Sequence, residues 1–235
     1  MLSGTGGSET FTAGHVRELV RRGINAQIAI VGPAVKQTKR DFPDLPIVGL
    51  VDQDAISKLT GTVVFVNQAY DVPTRNKAVI ILHCVVLSQV EQHLRKKDTI
   101  GKTIIATSVY NAQQWALYLN IPSNKINVVM PFADPIYGNS LRPKPAKKVR
   151  VLYAGRLHPE KGIYTILEMM HLYEMNILNV NMGIVMAGQH VEEGRVIAQM
   201  LKGYKYATLL SPRKTVASMA ELLSKTDILL MPSVF

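Results

Sequence analysis

A chain of 235 residues has room for one large α/β domain or two smaller ones. Its 47% hydrophobic and 19% charged residues exclude a disordered chain. The single cysteine, Cys84, excludes a disulfide framework and a cysteine-rich zinc cluster, and fits a reducing, cytoplasmic setting.

No apolar run reaches the roughly 18 residues that a membrane-spanning helix needs. The opening MLSGTGGSE has neither the basic nor the apolar part of a signal peptide. The net charge of +10 is unevenly spread. Residues 101–150 carry 7 basic and 1 acidic side chains, against 12 and 9 before them and 8 and 7 after them. Much of that excess is Arg142, Lys144, Lys147, Lys148 and Arg150. Aromatics are only 6% and do not interleave with the basic run as a stacking platform would require, so a nucleic-acid partner is not expected. A basic face toward anionic lipid, a site for a phosphorylated small molecule, and a merely solvated linker all remain open.

In chain order, Ser8 reads as the cap of a first helix, with Glu9 in its first turn. Val16, Leu19 and Val20 form its apolar stripe, and Gly23 stops it. Ala26 to Val31 reads as a buried strand. Thr62 to Asn67, Ala78 to His83 and Lys102 to Ser108 repeat the form, as β-branched runs ending on a polar residue. Helices are expected near Gln89–Lys97 and Asn111–Leu119, and Ile126 to Met130 is another strand. The stretch from Pro131 to Lys148 has four prolines and clustered charge, which suit neither a central strand nor a helix. After it come a strand over VRVLYAG, a helix from about Lys161 to Met175, a strand over MGIVMAG and a helix from Glu192 to Lys202. A strand over YATLL, a helix from Thr215 to Ser224 and a strand over DILLMPS complete the series.

This alternation predicts parallel sheets covered on both faces. The proline-rich stretch divides them into two Rossmann-like lobes, 1–131 and 149–235, joined by a linker over 132–148. Ligands of such sheets lie at the C-terminal strand ends, which places Asn67, His83, Ser108, Gly155 and Ser233 near a cleft between the lobes.

The sharpest chemical signal is AGRLHPEKG, Ala154 to Gly162. Gly155 ends a strand, Arg156 follows at once, and Lys161 opens the next helix. Two cations across a strand–turn–helix can converge on one anion, aided by the helix dipole and free N–H groups. A diphosphate suits them, because arginine binds it bidentately and lysine as a point charge. An exposed surface loop is the plain alternative. GTGGSE, Gly4 to Glu9, is weaker: its glycines let backbone N–H groups approach a phosphate, but a flexible terminus has the same composition.

These segments resemble the retaining glycosyltransferases of family 4, which have the two-lobed GT-B fold. VLYAGRLHPEKGIYTILEMM is similar to their phosphate-binding segment, and ILLMPSVF to the start of their PSxxExxG motif. GGSE before a helix ending in RRG, and IIATS before INVVMPFAD, resemble their first lobe and its edge. The resemblance implies transfer of a sugar, with retention and without a metal ion, from a UDP- or GDP-linked nucleotide-diphospho-sugar to a carbohydrate or lipid-linked acceptor. No other cofactor is implied. The expected setting is cytoplasmic, with peripheral contact at the inner face of an anionic membrane left open by the basic charge.

By this resemblance Gly6, Gly7, Gly155 and Ser233 line the donor, while Arg156 and Lys161 neutralise its departing diphosphate. His83 is similar to the histidine that faces the sugar. Asp134 resembles the aspartate of an NGVD segment, which here reads PFAD.

Other candidates are weaker. Asp52-Gln53-Asp54 is a DxD string without the context of a metal site. His158 and His190 follow strand ends and could meet a nucleotide, whereas His15, His93 and His171 are expected to face solvent. The methionines from Met169 to Met200 read as packing. The family has a strand before its glycine loop and glutamates after PSxF. The resemblance therefore implies a chain shortened at both ends, with a first lobe lacking its first strand and an incomplete second lobe. Two other readings stay open: a non-catalytic module that keeps only a nucleoside diphosphate site, and a GT-B epimerase.

Overall fold

The computed structural model describes residues 7–67, 77–86, 94–133, 135–138, 149–174, 180–186, 192–205, 207–211 and 215–233. Described residues up to Phe132 form one compact unit and those from Ala133 onward a second.

In the first unit, α1 (Gly7–Arg21) is followed by β1 (Ile28–Val31), α2 (Val35–Asp41) and β2 (Ile47–Leu50). Gly23, with φ of 77°, closes α1 as expected, its N–H reaching the Val20 carbonyl. Two details differ from expectation. Ser8 lies inside the helix, where Thr12 Oγ1 donates to its carbonyl, so it is not the cap. The buried side chains are Phe11, Ala13 and Val16, while Leu19 is half-buried and Val20 exposed. The stripe thus begins a turn earlier: Ala13 and Val16 pack against Ile28 and Ile30 of β1 and Phe42 and Leu45 after α2, while Phe11 meets the rings of His15, His83 and Phe132.

Neither α2 nor β2 is legible in the sequence. The helix VKQTKRD has one apolar residue and no stripe, and IVGL carries a glycine. Packing supplies what propensity does not: a Cβ on Gly49 would meet Val35 Cγ2 at 2.9 Å, so the glycine lets α2 lie close on β2.

The rest of the unit is β3 (Val63–Val66), β4 (Ala78–Leu82), β5 (Lys102–Ala106), α3 (Val109–Leu119) and β6 (Ile126–Val128). All its strand pairs are parallel, in two sheets of order β1-β2 and β3-β4-β5-β6. The β-branched runs form strands where expected, each slightly shorter than its run. Their apolar side chains, with Trp115, Ala116 and Leu119 of α3, make the main core of the unit. Ser108 caps α3 by accepting from the Asn111 N–H at 3.0 Å, and Asn120 ends it in a left-handed conformation. Of the helix expected near Gln89–Lys97, residues 89–93 lie outside the described residues, and Lys96–Thr99 is a single 3-10 turn.

The second unit is β7 (Val149–Gly155), α4 (Ile163–Glu174), β8 (Val180–Met186), α5 (Glu192–Leu201), β9 (Ala207–Leu210), α6 (Val216–Ser224) and β10 (Ile228–Leu230). Its sheet is parallel throughout, in the order β10-β7-β8-β9. Ile163, Ile166, Met170, Ile197 and Leu201 pack its helices against Val151 and Tyr153 of β7. Helix α4 starts at Ile163 and not at Lys161, because Pro159–Lys161 forms a separate 3-10 turn ended by Gly162. Arg150, one of the cations of the basic stretch, is paired: both its side chain and its N–H bond to Asp227 before β10. That arginine holds the Asp227 carboxyl down at about 2. The other basic residues named there, Arg142 to Lys148, lie outside the described residues.

Candidate functional site

In the second unit the site candidates gather on the turn from β7 to α4. Tyr153 is buried in the strand, and its hydroxyl donates back to the Arg156 carbonyl at 2.5 Å. Burial pushes that hydroxyl up to about 12, so it stays a donor. A Cβ on Gly155 would meet the same hydroxyl at 2.8 Å, which explains the glycine at the strand end. Leu157 is buried and anchors the turn, while the Arg156 side chain is 56% exposed. His158 caps the 3-10 turn, its Nδ1 accepting from the Glu160 N–H at 3.4 Å.

Lys161 is half-buried, one residue before Gly162. Gly162 has φ of 68°, and a Cβ there would overlap the Pro232 carbonyl oxygen. The Lys161-Gly162 and Pro232-Ser233 segments therefore touch, and exposed Ser233 stands beside the start of α4. The turn presents an exposed guanidinium, an ammonium and the N–H groups of a helix start, all suited to an anion. Sequence reasoning missed Glu160. Its Oε2 lies 3.9 Å from Arg156 Nη2 and 3.5 Å from His158 Nδ1, so a carboxylate occupies the neighbourhood of the arginine.

In the first unit, Asn67, His83 and the start of α1 meet at the C-terminal ends of β3 and β4, and Ser108 follows β5 at the same end of the sheet. Asn67 follows β3 in a left-handed conformation, φ 60°. Its Nδ2 donates to Ser8 Oγ at 2.9 Å and its Oδ1 accepts from the His83 N–H at 2.8 Å. The chain after β4 is held further by Asn111 Nδ2 on the Leu82 carbonyl and Trp115 Nε1 on the Cys84 carbonyl. The His83 ring stands edge-on to Phe11, with centroids 4.3 Å apart, and its Nε2 is buried with no hydrogen-bond partner among the described residues. Burial, with a smaller push from His15, lowers the pKa of His83.

His15 does not face solvent as expected. It packs edge-on against Phe11 at 4.6 Å and Phe132 at 5.2 Å, and burial lowers its pKa too. The available signal was the spacing of Phe11 and His15, four apart on one helix.

Gly7 is the first residue of α1, with open space where a Cβ would stand. Gly6, Asp134, His93 and His190 lie outside the described residues. Asp52 Oδ1 accepts from the Ala55 N–H just before a 3-10 turn over Asp54–Lys58, and both Asp52 and Asp54 are exposed. His171 is exposed on α4, and Met170 is buried in the core.

No protein-family model matches the sequence, and no curated protein matches it either. Solved structures do. A glycosyltransferase from Rickettsia africae ESF-5 superposes with a TM-score of 0.69 at 14% identity, covering 98% of this chain and 70% of that one. WaaG, a glycosyltransferase involved in lipopolysaccharide biosynthesis, gives 0.65 at 12% identity, covering 97% and 72%. A protein described as a UDP-N-acetylglucosamine 2-epimerase from Listeria monocytogenes gives 0.51 at 13% identity, covering 96% and 71%. The chain has the fold of GT-B proteins, α/β with parallel sheets in Rossmann-like lobes, and its structural neighbours include glycosyltransferases of that type.

Proposed function

We propose that this protein is a metal-independent, retaining glycosyltransferase of the family 4 type. It takes a sugar from a UDP- or GDP-linked donor and passes it to a carbohydrate or lipid-linked acceptor at the cytoplasmic face of a membrane. The observation that carries this reading is the β7–α4 turn, where Arg156, Lys161 and a helix start lie on one short segment and Gly162 rests on Pro232. A nucleoside diphosphate gains negative charge as it leaves the sugar, and fixed cations stabilise that gain more than the ground state. In this role Arg156 and Lys161 do the work of a metal ion. Gly6, Gly7, Gly155 and Ser233 bind the donor, and His83 faces the sugar. The Rickettsia and WaaG structures, themselves described as glycosyltransferases, support the activity through the fold they share with this chain.

Calorimetry with UDP and GDP tests the reading. Arg156→Ala and Lys161→Ala should each weaken the better nucleotide by roughly ten- to a hundredfold, the worth of a charged hydrogen bond. Chelator should leave wild-type affinity unchanged. Unaltered affinity in both variants, or strict dependence on manganese or magnesium, overturns the assignment. Release of free sugar from the matching nucleotide-sugar separates an enzyme from a module that only binds the diphosphate.

A further inference from the structure

Leu82 ends β4, and His83 and Cys84 follow it. Four main-chain groups of this tripeptide bond to side chains of other segments. Asn111 Nδ2 donates to the Leu82 carbonyl and Trp115 Nε1 to the Cys84 carbonyl, both at 2.9 Å, and Thr107 Oγ1 donates to the His83 carbonyl at 3.4 Å. Those three side chains belong to α3 and the residues leading into it. The fourth bond comes from the other side of β4: the His83 N–H donates to Asn67 Oδ1, past the end of β3, at 2.8 Å.

Asn67 stands where the ladder between β3 and β4 stops. Its N–H bonds the Ile81 carbonyl, and one further step of a parallel ladder would send the His83 N–H to the Asn67 main-chain carbonyl. Asn67 has φ of 60°, where a strand cannot continue, and its side-chain oxygen takes that N–H. Asparagine meets both demands, because it tolerates the left-handed region and carries an acceptor and a donor on one short amide. The donor, Nδ2, reaches Ser8 Oγ in the first turn of α1 at 2.9 Å. Three residues along α1 from Ser8, Phe11 stands against the His83 ring. Helix α1 therefore meets His83 twice, at the main chain through Asn67 and at the ring through Phe11. Ending a strand needs only the bond to His83. The bond to Ser8 adds a fixed link from His83 to the start of α1.

We propose that Asn67 is a positioning residue, which holds His83 and the start of α1 in one fixed register. It acts through His83 and Ser8 and not on the sugar itself. The benefit to sugar transfer rests on the transferase reading, in which His83 faces the sugar and Gly6 and Gly7, just before α1, bind the donor. The fixing of His83 does not rest on that reading, and the two are measured separately.

Asn67→Gly tests it, because glycine accepts φ of 60° without strain while both side-chain bonds are lost. NMR of the full chain should find the His83 N–H exchanging at least about tenfold faster than in the wild type, with the His83 ring signals displaced. Asn67→Asp offers a carboxylate that accepts the same N–H and also accepts from the Ser8 hydroxyl, so it should keep the His83 N–H as protected as in the wild type. With the UDP- or GDP-sugar from which the wild type releases sugar, Asn67→Gly should lower kcat by roughly ten- to a hundredfold, the cost of a misplaced group, and change KM by no more than about threefold. Asn120→Ala is the stability control. Asn120 is also left-handed, with φ of 50°, but it lies at the opposite end of α3 from Ser108, so this variant should melt at a lower temperature with kcat unchanged. Ser8→Ala should lower kcat by about fivefold alone and add nothing in the Asn67→Gly background, because both act through one bond. Unchanged protection of the His83 N–H in Asn67→Gly overturns the proposal, whether or not the chain turns over a nucleotide-sugar. So does an unchanged kcat in that variant, or a loss that Asn120→Ala reproduces. A wild type that neither binds UDP or GDP nor releases sugar overturns the transferase reading instead, and the His83 exchange and ring signals then decide the role of Asn67.

Discussion

Gly162 and Pro232 touch through their backbones: where a side chain would begin on the glycine, the proline carbonyl already stands, and the proline Cβ is 2.9 Å away. Two requirements fall on one residue. The φ of 68° disfavours any L side chain, and the space is occupied. Gly162→Ala should therefore cost about 2 kcal/mol or more, of which the left-handed conformation alone explains roughly 1–2. Gly61 is the control, since its φ is 88° but a Cβ there would meet nothing. Gly61→Ala should show only the conformational part in urea unfolding. Gly162→Ala should also push Pro232 and Ser233 away from the turn and weaken UDP or GDP binding. Equal losses in the two variants would mean that the Pro232 contact adds nothing.

Glu160 competes for the cation that a diphosphate needs. Its carboxylate is 3.9 Å from Arg156, and both side chains are more than half exposed, so solvent screens the pair. Glu160→Gln keeps the shape and removes the charge. Nucleoside diphosphate affinity should rise by about two- to fivefold, the scale of an exposed ion pair. A fall in affinity would instead make Glu160 part of the binding site.

The strands and the β7–α4 turn were legible because local chemistry dictates them. Runs such as VVFV and AVIIL favour strands whatever surrounds them, and Gly155, Arg156 and Lys161 announce a turn of unusual charge. Elements that depend on distant contacts were not legible. Helix α2 lacks an apolar stripe and exists because β2 offers Gly49 for it to lie on. The site has the same limit. Nothing local says that Tyr153 turns its hydroxyl to the Arg156 carbonyl, or that Phe11 meets His83. Asn67 looked like the polar end of a strand, and its bridging of Ser8 and His83 appears only once three segments are folded together.

The hydrogen-bond register makes a residue-level prediction for β1 and β3. The Ile28 N–H bonds the Pro46 carbonyl and the Gly32 N–H the Leu50 carbonyl, which turns Ile28, Ile30 and Gly32 toward β2. The alternate residues Ala29 and Val31 face the other way. In β3, Val63 and Asn67 bond toward β4, so Val64 and Val66 face away from it. Among the described residues no strand pairs with either of those sides. Amide exchange followed by NMR should find Ala29, Val31, Val64 and Val66 exchanging at least about tenfold faster than Ile30 and Phe65 between them. Uniform protection along both strands would mean that these edges are covered in solution.

His15 and His83 predict how stability depends on pH. Burial disfavours the charged imidazole in both, and each pKa lies below the ordinary 6.5. The groups facing them are Phe11, Phe132 and neutral hydrogen-bonding groups such as Asn67, with no carboxylate among the contacts described. Between its folded pKa and 6.5 the unfolded chain binds more protons at these sites, so stability rises with pH across that window and falls on acidification below 6.5. Each histidine supplies at most about 1.4 kcal/mol per pH unit. The paired carboxylates act elsewhere: Asp227 and Glu18, held at about 2 by their arginines, lose their contribution only as pH falls below the ordinary 3.8 and 4.5. Thermal melts between pH 8 and 5 therefore read the histidines apart from those acids. In an NMR titration His83 should titrate below 6.5, and in His15→Gln its pKa should move upward without reaching 6.5, because the neighbouring charge is gone while the burial remains. An unchanged His83 titration in that variant would show that the two rings do not interact electrostatically. A wild-type value above 6.5 would show that Nε2 has a partner that favours its charged form.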